Sequence, residues 1–289
     1  MRFVLFGNEY QTKKSASVQK ILSYINERGD EVIVDRVYYD FLTQKQKIMV
    51  PTAEIIDDDN FTADIAISMG GDGTFLKAAS RVAGKDIPVI GVNTGRLGFL
   101  ADISPEGIEN AMQNIYDGNY IVERHTMIEI STQGKQITGS RYALNDIAVL
   151  KHDNASMISI DTHINGEHLV TYQADGLVVS TPTGSTAYNL SNGGPIIAPQ
   201  SASLCLTPVA PHSLNVRPLV VSENMEITLE VESRSHNYLV AIDGRSESLP
   251  EDTKVTIRKA PFDTQIIKRH HNSYFATLRE KMMWGADRR

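Results

Sequence analysis

A glycine-rich run with one carboxylate, Gly70-Gly71-Asp72-Gly73-Thr74, combines residue types that are suited to chemistry. It follows the apolar stretch 63–69 and precedes apolar residues at helical spacing, so we predict that it joins a strand to a helix. Glycines allow close approach of the backbone to a ligand, and the free N–H groups at a helix N-terminus favour phosphate. The Asp72 carboxylate would then hold a cation, accept a proton or orient a hydroxyl that attacks phosphorus, which indicates phosphoryl transfer. The alternative is a tight turn with a surface Asp.

A second polar loop, Asn93-Thr94-Gly95-Arg96-Leu97-Gly98-Phe99-Leu100, follows a predicted strand that ends at Val92. Two glycines and two polar side chains at a strand end are typical of a loop that approaches a ligand closely. With Gly70–Thr74 it would form both sides of one phosphate pocket. Arg96 would neutralise a phosphate there, or would simply be solvated at the surface.

The densest run extends from Asp175 to Ser191, and in it a predicted buried strand ends in five hydroxyl residues within 180–186, followed by a Tyr and an Asn. These side chains suit a nucleoside, which needs hydrogen bonds and stacking. The run lacks the Gly-x-Ser-x-Gly pattern of hydrolases, and the chain has neither a Walker A loop nor Gly-x-Gly-x-x-Gly. Asn145-Asp146 needs partners if it is buried; taken alone it indicates a turn or a strand end. Ala241 to Arg245 gives a turn signal.

Two different patterns divide the elements that must position these loops. Residues 1 to about 120 alternate strand and helix, which predicts a Rossmann-like α/β domain with a parallel sheet. Later residues alternate apolar and polar, with an Asn165-Gly166 turn, which predicts an antiparallel β sandwich. We expect the α/β domain to comprise 1–122 plus 270–289 and the β domain 123–269. A helix over 273–283 is expected to pack back on the first domain.

Composition excludes several classes of protein. The chain has 289 residues, a formal net charge of −7 and no basic stripe, which argues against nucleic acid or an anionic membrane as partner. The single Cys205 excludes an internal disulfide and a thiolate zinc cluster. No apolar run approaches the roughly 20 residues of a membrane span. A cytoplasmic location is the simplest inference.

Taken together, these residues resemble the bacterial type of NAD kinase. The resemblance covers nearly the whole chain. It departs from the family at Gln173, where many members carry Arg. The first matching block is shared with diacylglycerol and sphingosine kinases and, more loosely, with phosphofructokinases, whereas the last is the most specific. The four blocks are Gly70–Thr74, Gly91–Leu100, Asn145-Asp146 and Asp175–Ser191.

The resemblance implies transfer of the γ-phosphoryl group of ATP, with Mg²⁺, to the adenosine-ribose 2′-hydroxyl of NAD, giving NADP. Asp72 would be the catalytic carboxylate, and Gly70, Gly71, Gly73 and Thr74 would cradle the ATP phosphates. No cluster of protein side chains is expected to hold the metal directly. A homodimer or homotetramer formed through the β domain is expected. The residues that would bind NAD are Asp72, Gly73, Asn145, Asp146, Asp175, Thr183, Ser185, Thr186, Ala187, Tyr188, Ser191 and Asp243.

Two alternatives belong to other classes. A lipid or small-metabolite kinase would share the Gly-Gly-Asp-Gly loop, but the run from Asp175 to Ser191 suits a dinucleotide, and no stretch suits a membrane surface. A non-catalytic NADP sensor would keep the binding residues, and Gln173 is the feature in its favour. Such a sensor would bind the dinucleotide without turning over ATP.

Overall fold

The structure is a computed structural model that describes residues 1–9, 15–94, 98–153, 156–270 and 273–285. It divides into two compact units. Unit 1 comprises Met1–Arg124 and Thr264–Arg289, and unit 2 comprises His125–Asp263. The chain passes from unit 1 to unit 2, and later back, inside two long strands.

The strands of the described residues are given in chain order: β1 (Arg2–Gly7), β2 (Glu31–Asp35), β3 (Glu54–Ile56), β4 (Ile65–Met69), β5 (Val89–Val92), β6 (Ile121–Gln133), β7 (Tyr142–Ala143), β8 (Asp146–Lys151), β9 (Ile158–Ile164), β10 (Glu167–Ala174), β11 (Gly176–Ser180), β12 (Ser203–Val209), β13 (Leu219–Ser222), β14 (Ile227–Glu232), β15 (Asn237–Ile242), β16 (Arg245–Pro250) and β17 (Lys254–Lys268). The helices are α1 (Ser15–Asn26), α2 (Arg36–Asp40), α3 (Asp72–Arg81), α4 (Ile108–Tyr116), α5 (Tyr188–Ser191) and α6 (Tyr274–Met282). A π-helical turn covers Phe41–Lys45, and 3₁₀ turns cover Pro105–Gly107 and Thr183–Thr186.

Unit 1 is built on a parallel sheet with the order β3-β2-β1-β4-β5, and the end of β17 lies beside β5. The apolar run 3–6 in β1 is fully buried, as a strand covered on both faces requires. The strand order reverses between β1 and β4, which pair through Leu5 and Ile67. Ligands of such doubly wound sheets bind at the carboxyl ends of the strands beside this reversal. The predicted α/β class is confirmed.

The helices of unit 1 bury one apolar face each. In α3, Phe75, Ala78 and Ala79 are buried. The predicted C-terminal helix is confirmed as α6, and it belongs to unit 1. Its N-terminus is capped by Ser273, whose hydroxyl accepts the backbone N–H of Ala276. In the part of the chain that the structure describes, no helix has the length and apolar character to cross a membrane.

Unit 2 contains two antiparallel sheets, which confirms the predicted β domain class. One runs β10-β9-β14-β17 and the other runs β13-β12-β11-β8-β15-β16. Apolar residues of both sheets, such as Ile160, Leu229, Leu177 and Val240, form one buried cluster. Alternate residues face this core, as in Ile227, Leu229 and Val231 of β14.

The turn between β9 and β10 has positive φ at both central residues, 51° at Asn165 and 82° at Gly166. This is the geometry of a type I′ hairpin turn. We expect Gly166→Ala to destabilise the protein by about 1 kcal/mol, because a Cβ disfavours the left-handed region. Urea unfolding measures the loss. Gly107→Ala is the control, because Gly107 has φ −86° and space for a Cβ. Equal stability of the two variants would contradict the prediction.

Candidate active site

The glycine-rich loop of unit 1 leaves β4 and enters α3, as predicted. Gly71 precedes the first helical residue in an extended conformation, and the N–H groups of Thr74 and Phe75 both bond to its carbonyl. A Cβ on Gly70 would lie 2.2 Å from the Thr74 hydroxyl oxygen, so the close turn needs glycine there. The loop therefore places the free N–H groups of an α-helix N-terminus at the carboxyl end of β4.

Asp72 is the first residue of α3, and its carboxylate accepts three backbone hydrogen bonds. Oδ2 accepts the N–H of Phe99 at 2.8 Å, and Oδ1 accepts those of Leu100 and Ala101 at 3.0 and 3.1 Å. A Cβ on Gly98 would lie 1.9 Å from Oδ1. The carboxylate is thus oriented by the backbone of residues 98–101.

A cavity of about 330 Å³ lies beside this loop at the ends of β1 and β4. Its only cation in the described lining is Lys77, whose Nζ lies 3.4 Å from the buried carboxylate of Asp35. On α6, burial lowers the pKa of Lys281, and the charge of Asp72 opposes that shift. The cavity lining is Gly7, Asn8, Glu9, Val37, Gly71, Gly73, Thr74 and Lys77.

The second predicted loop is only partly described. Asn93 is buried, its N–H bonds to the carbonyl of Ile103 and its side-chain amide lies 3.4 Å from the carbonyl of Ala101. Asn93 therefore braces the segment that holds Asp72 and does not line the cavity. Arg96 lies outside the described residues.

In unit 2, Asn145 lies in a bend after β7, and Asp146 begins β8. Asp146 is buried, and burial, with a smaller contribution from the negative charge of Asp243, raises its pKa to about 7. Burial likewise raises the pKa of Asp243 to about 6, against the opposing effect of three backbone N–H groups and Arg245. The structure thus brings together the carboxyl groups of Asp146 and Asp243, both predicted from the sequence, and the charge of Asp243 affects the pKa of Asp146.

The run from Asp175 to Ser191 is divided between the two ends of β11: Asp175 precedes the strand, and residues 181–191 follow it, at the end where Ser180 pairs with Asp146. Asp175 pairs with Lys151 at 2.8 Å, and the Thr183 hydroxyl lies 2.8 Å from Nδ1 of His125. Tyr188 is 38% exposed, so its ring face is accessible to a ligand. Of the other predicted contacts, Ser191 is exposed, and Thr186 and Ala187 are half-buried.

Ser185 differs from its neighbours because it is fully buried. Its hydroxyl lies 2.6 Å from the carbonyl of Pro182 and 3.1 Å from that of Ile197, and it accepts the N–H of Ile197. The hydroxyl therefore holds the loop together and is not available to a ligand in this structure.

The buried Asp146 makes stability depend on pH in a stated direction. Its pKa is raised from the ordinary value of about 4 to about 7, so the folded state binds the proton more tightly than the unfolded chain. That contribution to stability is complete below about pH 4 and is lost as pH rises through 7. Between pH 5 and pH 8 we expect the free energy of unfolding of the wild type to fall by about 2–4 kcal/mol relative to that of Asp146→Asn, which is on the order of the pKa shift. Urea unfolding of both at each pH measures this. Parallel pH curves would contradict it.

The sequence analysis missed several groups that shape the site. The three N–H donors to Asp72 belong to the backbone, which gives no residue-type signal. Thr181, whose hydroxyl bonds to the carbonyl of Leu144, and His125 both lie beside predicted residues. Gly98 lies in one of the blocks named in the sequence analysis. It was the one residue-type signal for the backbone segment 98–101 that holds the carboxylate, here called the Asp72 cradle.

Comparison with known proteins assigns both halves of the chain to one class. Residues 4–120 match the ATP-NAD kinase N-terminal domain, and residues 144–269 match the ATP-NAD kinase C-terminal domain. The chain is 54% identical to an NAD kinase of Bacteroides fragilis strain YCH46, over the full length of both.

Two solved structures resemble this fold. An NAD kinase from Archaeoglobus fulgidus, solved in complex with ATP, has a TM-score of 0.76 and 28% identity, covering 98% of this chain and 99% of that one. Yeast NADH kinase, solved with NADH, has a TM-score of 0.90 and 21% identity, covering 100% and 89%. These matches define a two-domain, nucleotide-binding kinase. The chain belongs to the NAD kinase family.

Proposed function

We propose that this protein transfers the γ-phosphoryl group of ATP to the adenosine-ribose 2′-hydroxyl of NAD, giving NADP and ADP. The 2′-oxygen forms a bond to the γ-phosphorus, the bond from that phosphorus to the bridging β,γ-oxygen breaks, and the hydroxyl proton is released. One observation carries the proposal: the carboxylate of Asp72, at the helix start that borders the cavity, accepts the N–H groups of residues 99–101. Membership of the NAD kinase family supports the choice of substrate.

In this proposal unit 1 binds the triphosphate. The N–H groups of Gly71 and Gly73 and the hydroxyl of Thr74 face developing negative charge at the N-terminus of α3, and Lys77 adds a positive charge at the cavity. Gly70 permits the close turn. Arg96 stays a predicted phosphate contact. Asn93 contributes by bracing the neighbouring segment.

Mg²⁺ accompanies the triphosphate in the proposal. Among the described residues, no group of three or more His, Cys, Asp or Glu side chains is arranged to hold a metal ion. Mg²⁺ is usually bound by substrate phosphates, water and one or two protein oxygens. The cavity offers oxygen atoms of this hard type in Asn8, Glu9 and Thr74. When bound, the ion would neutralise charge on the β- and γ-phosphates.

Asp72 acts on the hydroxyl that is phosphorylated. An ionised carboxylate has about four lone-pair directions, and three are used by backbone N–H groups. The remaining direction is suited to accept a hydrogen bond from the substrate hydroxyl, which orients that hydroxyl and draws its proton away from the attacking oxygen. Because the N–H donors are fixed, the carboxylate needs no reorganisation during the reaction.

Unit 2 binds the dinucleotide. Asn145 and Asp146 offer polar atoms to ribose hydroxyls, and the exposed ring of Tyr188 offers a stacking surface for a base. Asp175, at the opposite end of β11 and paired with Lys151, stays a predicted contact. Thr183, Thr186, Ala187 and Ser191 line the adenosine side in this proposal. Ser185 shapes the loop through its buried hydroxyl.

The proposal also includes a homodimer or homotetramer formed through unit 2. The strand β10 supports it, because in the described residues β10 is at the edge of its sheet, and unpaired backbone groups of an edge strand can contact another chain. A groove of about 1220 Å³ is lined by residues of β9, β10 and β14, including Asp161, Thr171, Gln173 and Glu230. Light scattering after size exclusion measures the mass. The predicted cytoplasmic location stays a prediction.

The test is NADP formation from NAD, ATP and Mg²⁺ by the purified protein, read with an NADP-specific dehydrogenase. NADP in the wild-type reaction supports the proposal. Binding of NAD without any NADP would overturn it in favour of a sensor. Gln173, the feature in favour of a sensor, donates an amide N–H to the Ser159 hydroxyl at 2.6 Å. Binding to lipid vesicles together with inactivity on NAD would point to a lipid kinase.

A further inference from the structure

Asp243 lies at the turn between β15 and β16, and its carboxylate faces the backbone of another segment. Oδ2 accepts the N–H of Leu144 at 2.8 Å. Oδ1 accepts the N–H groups of Asn145 and Asp146 at 2.8 and 3.1 Å. In the other direction, the N–H of Asp243 bonds to the carbonyl of Asp146 at 3.0 Å. Four hydrogen bonds thus join this one residue to three successive residues.

The backbone of Asp243 is shaped for this contact. Asp243 has φ 47° and Gly244 has φ 81°, so both turn residues are in the left-handed region. Asp tolerates that region better than most residues do. The turn directs both the carboxylate and the N–H of Asp243 at residues 144–146. An apolar residue at this position would leave three backbone donors without their acceptor.

The opposite side of the same segment is held by the residues after β11. The Thr181 N–H bonds to the carbonyl of Asn145 at 2.9 Å, and the Thr181 hydroxyl bonds to that of Leu144 at 2.5 Å. A Cβ on Gly184 would lie 2.0 Å from the Asn145 carbonyl oxygen. Asp243 therefore binds the N–H groups of residues 144–146, and Thr181 binds carbonyl groups of the same segment. Gly184 packs so closely against the Asn145 carbonyl that a side chain does not fit there.

This clamp leaves the side chain of Asn145 as the group with unused hydrogen-bonding capacity. Its Oδ1 is buried and accepts no hydrogen bond from the described residues. Buried polar atoms without a partner are rare in folded proteins, and a ligand is one way of satisfying them. The backbone of residues 144–146 is hydrogen-bonded on both sides, and the side-chain amide oxygen of Asn145 can still accept a hydrogen bond from a ligand.

We propose that Asp243 is a positioning residue that fixes the backbone of residues 144–146 and so presents Asn145 and Asp146 to the dinucleotide, without contacting the dinucleotide itself. The proposal rests on the proposed function. It differs from the direct contact that the family resemblance implied for Asp243, because the carboxylate of Asp243 faces residues 144–146 of the protein and binds their N–H groups.

The first test is Asp243→Asn. An amide keeps one acceptor oxygen but turns an NH₂ group toward a backbone donor, so the clamp is weakened. We expect the KM for NAD to rise about 10–100-fold through misplacement of the 144–146 segment, with the KM for ATP changed less than about threefold. An unchanged KM for NAD, in a protein whose wild type makes NADP, would overturn the positioning role alone. A wild type that makes no NADP would overturn the proposed function instead.

Variants of Thr181 distinguish a positioning role of Asp243 from direct contact of Asp243 with the dinucleotide, because Thr181 binds the same segment from the other side. Thr181→Val removes the hydroxyl at nearly constant volume, and Thr181→Ser keeps it as the matched control. We expect Thr181→Val to raise the KM for NAD as well, and the double variant with Asp243→Asn to be non-additive, because both act on one segment. Additive effects, or an effect of Asp243→Asn alone, would show that Asp243 contacts the dinucleotide directly.

A pH profile gives a readout that a purely structural role would not change. The negative charge of Asp243 helps to raise the pKa of Asp146, and Arg245 is the cation that acts on Asp243. In Asp243→Asn that charge is absent, so the ionisation of Asp146 moves to lower pH. We expect the acid limb of 1/KM for NAD to move to lower pH. An unmoved limb would contradict the proposal.

Discussion

Asp72→Asn lowers kcat for NADP formation by about 10²–10⁴-fold, the range that is typical for loss of a group that handles a reacting proton. The amide cannot take the hydroxyl proton, and its NH₂ group would face one of the three N–H donors that now bind the carboxylate. The KM for NAD is expected to change less than about threefold, because unit 2 carries the other dinucleotide contacts in the proposed function. Steady-state kinetics with saturating ATP measures both constants.

Two further variants make this prediction sharp. Asp117→Asn is the matched control, because it changes an exposed carboxylate of unit 1 that, among the described residues, accepts only a side-chain bond from Gln113. It should keep wild-type kinetics. Asp72→Glu keeps the charge but lengthens the side chain, so its carboxylate cannot keep the three backbone bonds. We expect it to lose activity nearly as fully as Asp72→Asn. Wild-type turnover in Asp72→Asn would remove Asp72 from the chemistry.

Gly98→Ala is expected to lower kcat by about 10²-fold while changing stability little. The new Cβ would lie 1.9 Å from Oδ1 of Asp72, so the carboxylate must move. Because that carboxylate is the end of a side chain, it moves at small cost to the fold, but a displacement near 1 Å is enough to lose about two orders of magnitude in rate. Turnover and urea unfolding are measured on the same preparation.

Gly91→Ala, in the same part of unit 1, is expected to lower stability, whereas Gly98→Ala lowers kcat. Its Cβ would lie 2.6 Å from the backbone Cα of Ala101, which cannot move freely. We expect Gly91→Ala to reduce stability by a few kcal/mol, on the order of other overpacking changes in cores. Gly107→Ala, whose new Cβ would make only ordinary van der Waals contacts at 3.6 and 3.8 Å, should change neither property. A large stability loss in Gly98→Ala with normal kcat per folded molecule would contradict the assignment of residues 98–101 as the Asp72 cradle.

The elements predicted with success are those whose signals are local. The glycine-rich run at 70–74 joins β4 to α3, and Asn165-Gly166 closes the β9–β10 hairpin with both φ angles positive. Periodicity and turn chemistry act over a few residues, so a sequence states them directly. The segment 40–59 carries no such signal, and the structure shows a π-helical turn and the short strand β3 there.

The chemistry of the candidate site was predicted only as residue types. Asp72, Asn145, Asp146 and Asp243 stand out in the sequence because carboxylates and amides at strand ends and turns are chemically distinctive. Their proposed assignment to phosphoryl transfer and dinucleotide binding followed from those types and from the family resemblance. The structure shows that Ser185 and Asn93 are each buried within their own loops. The sequence could not predict this, because burial depends on the packing of the whole unit.

Local sequence patterns are enough to predict the α/β and β halves, the loop that starts α3 and the carboxylate within it. What each carboxylate contacts depends on the packing of the folded chain. The donors to Asp72 lie 27 to 29 residues away, and those to Asp243 lie 97 to 99 residues away. These donors are backbone N–H groups, which every residue except proline carries, so no residue type marks them in advance. Their selection is made by the strand order and turns that bring distant backbone within hydrogen-bond reach.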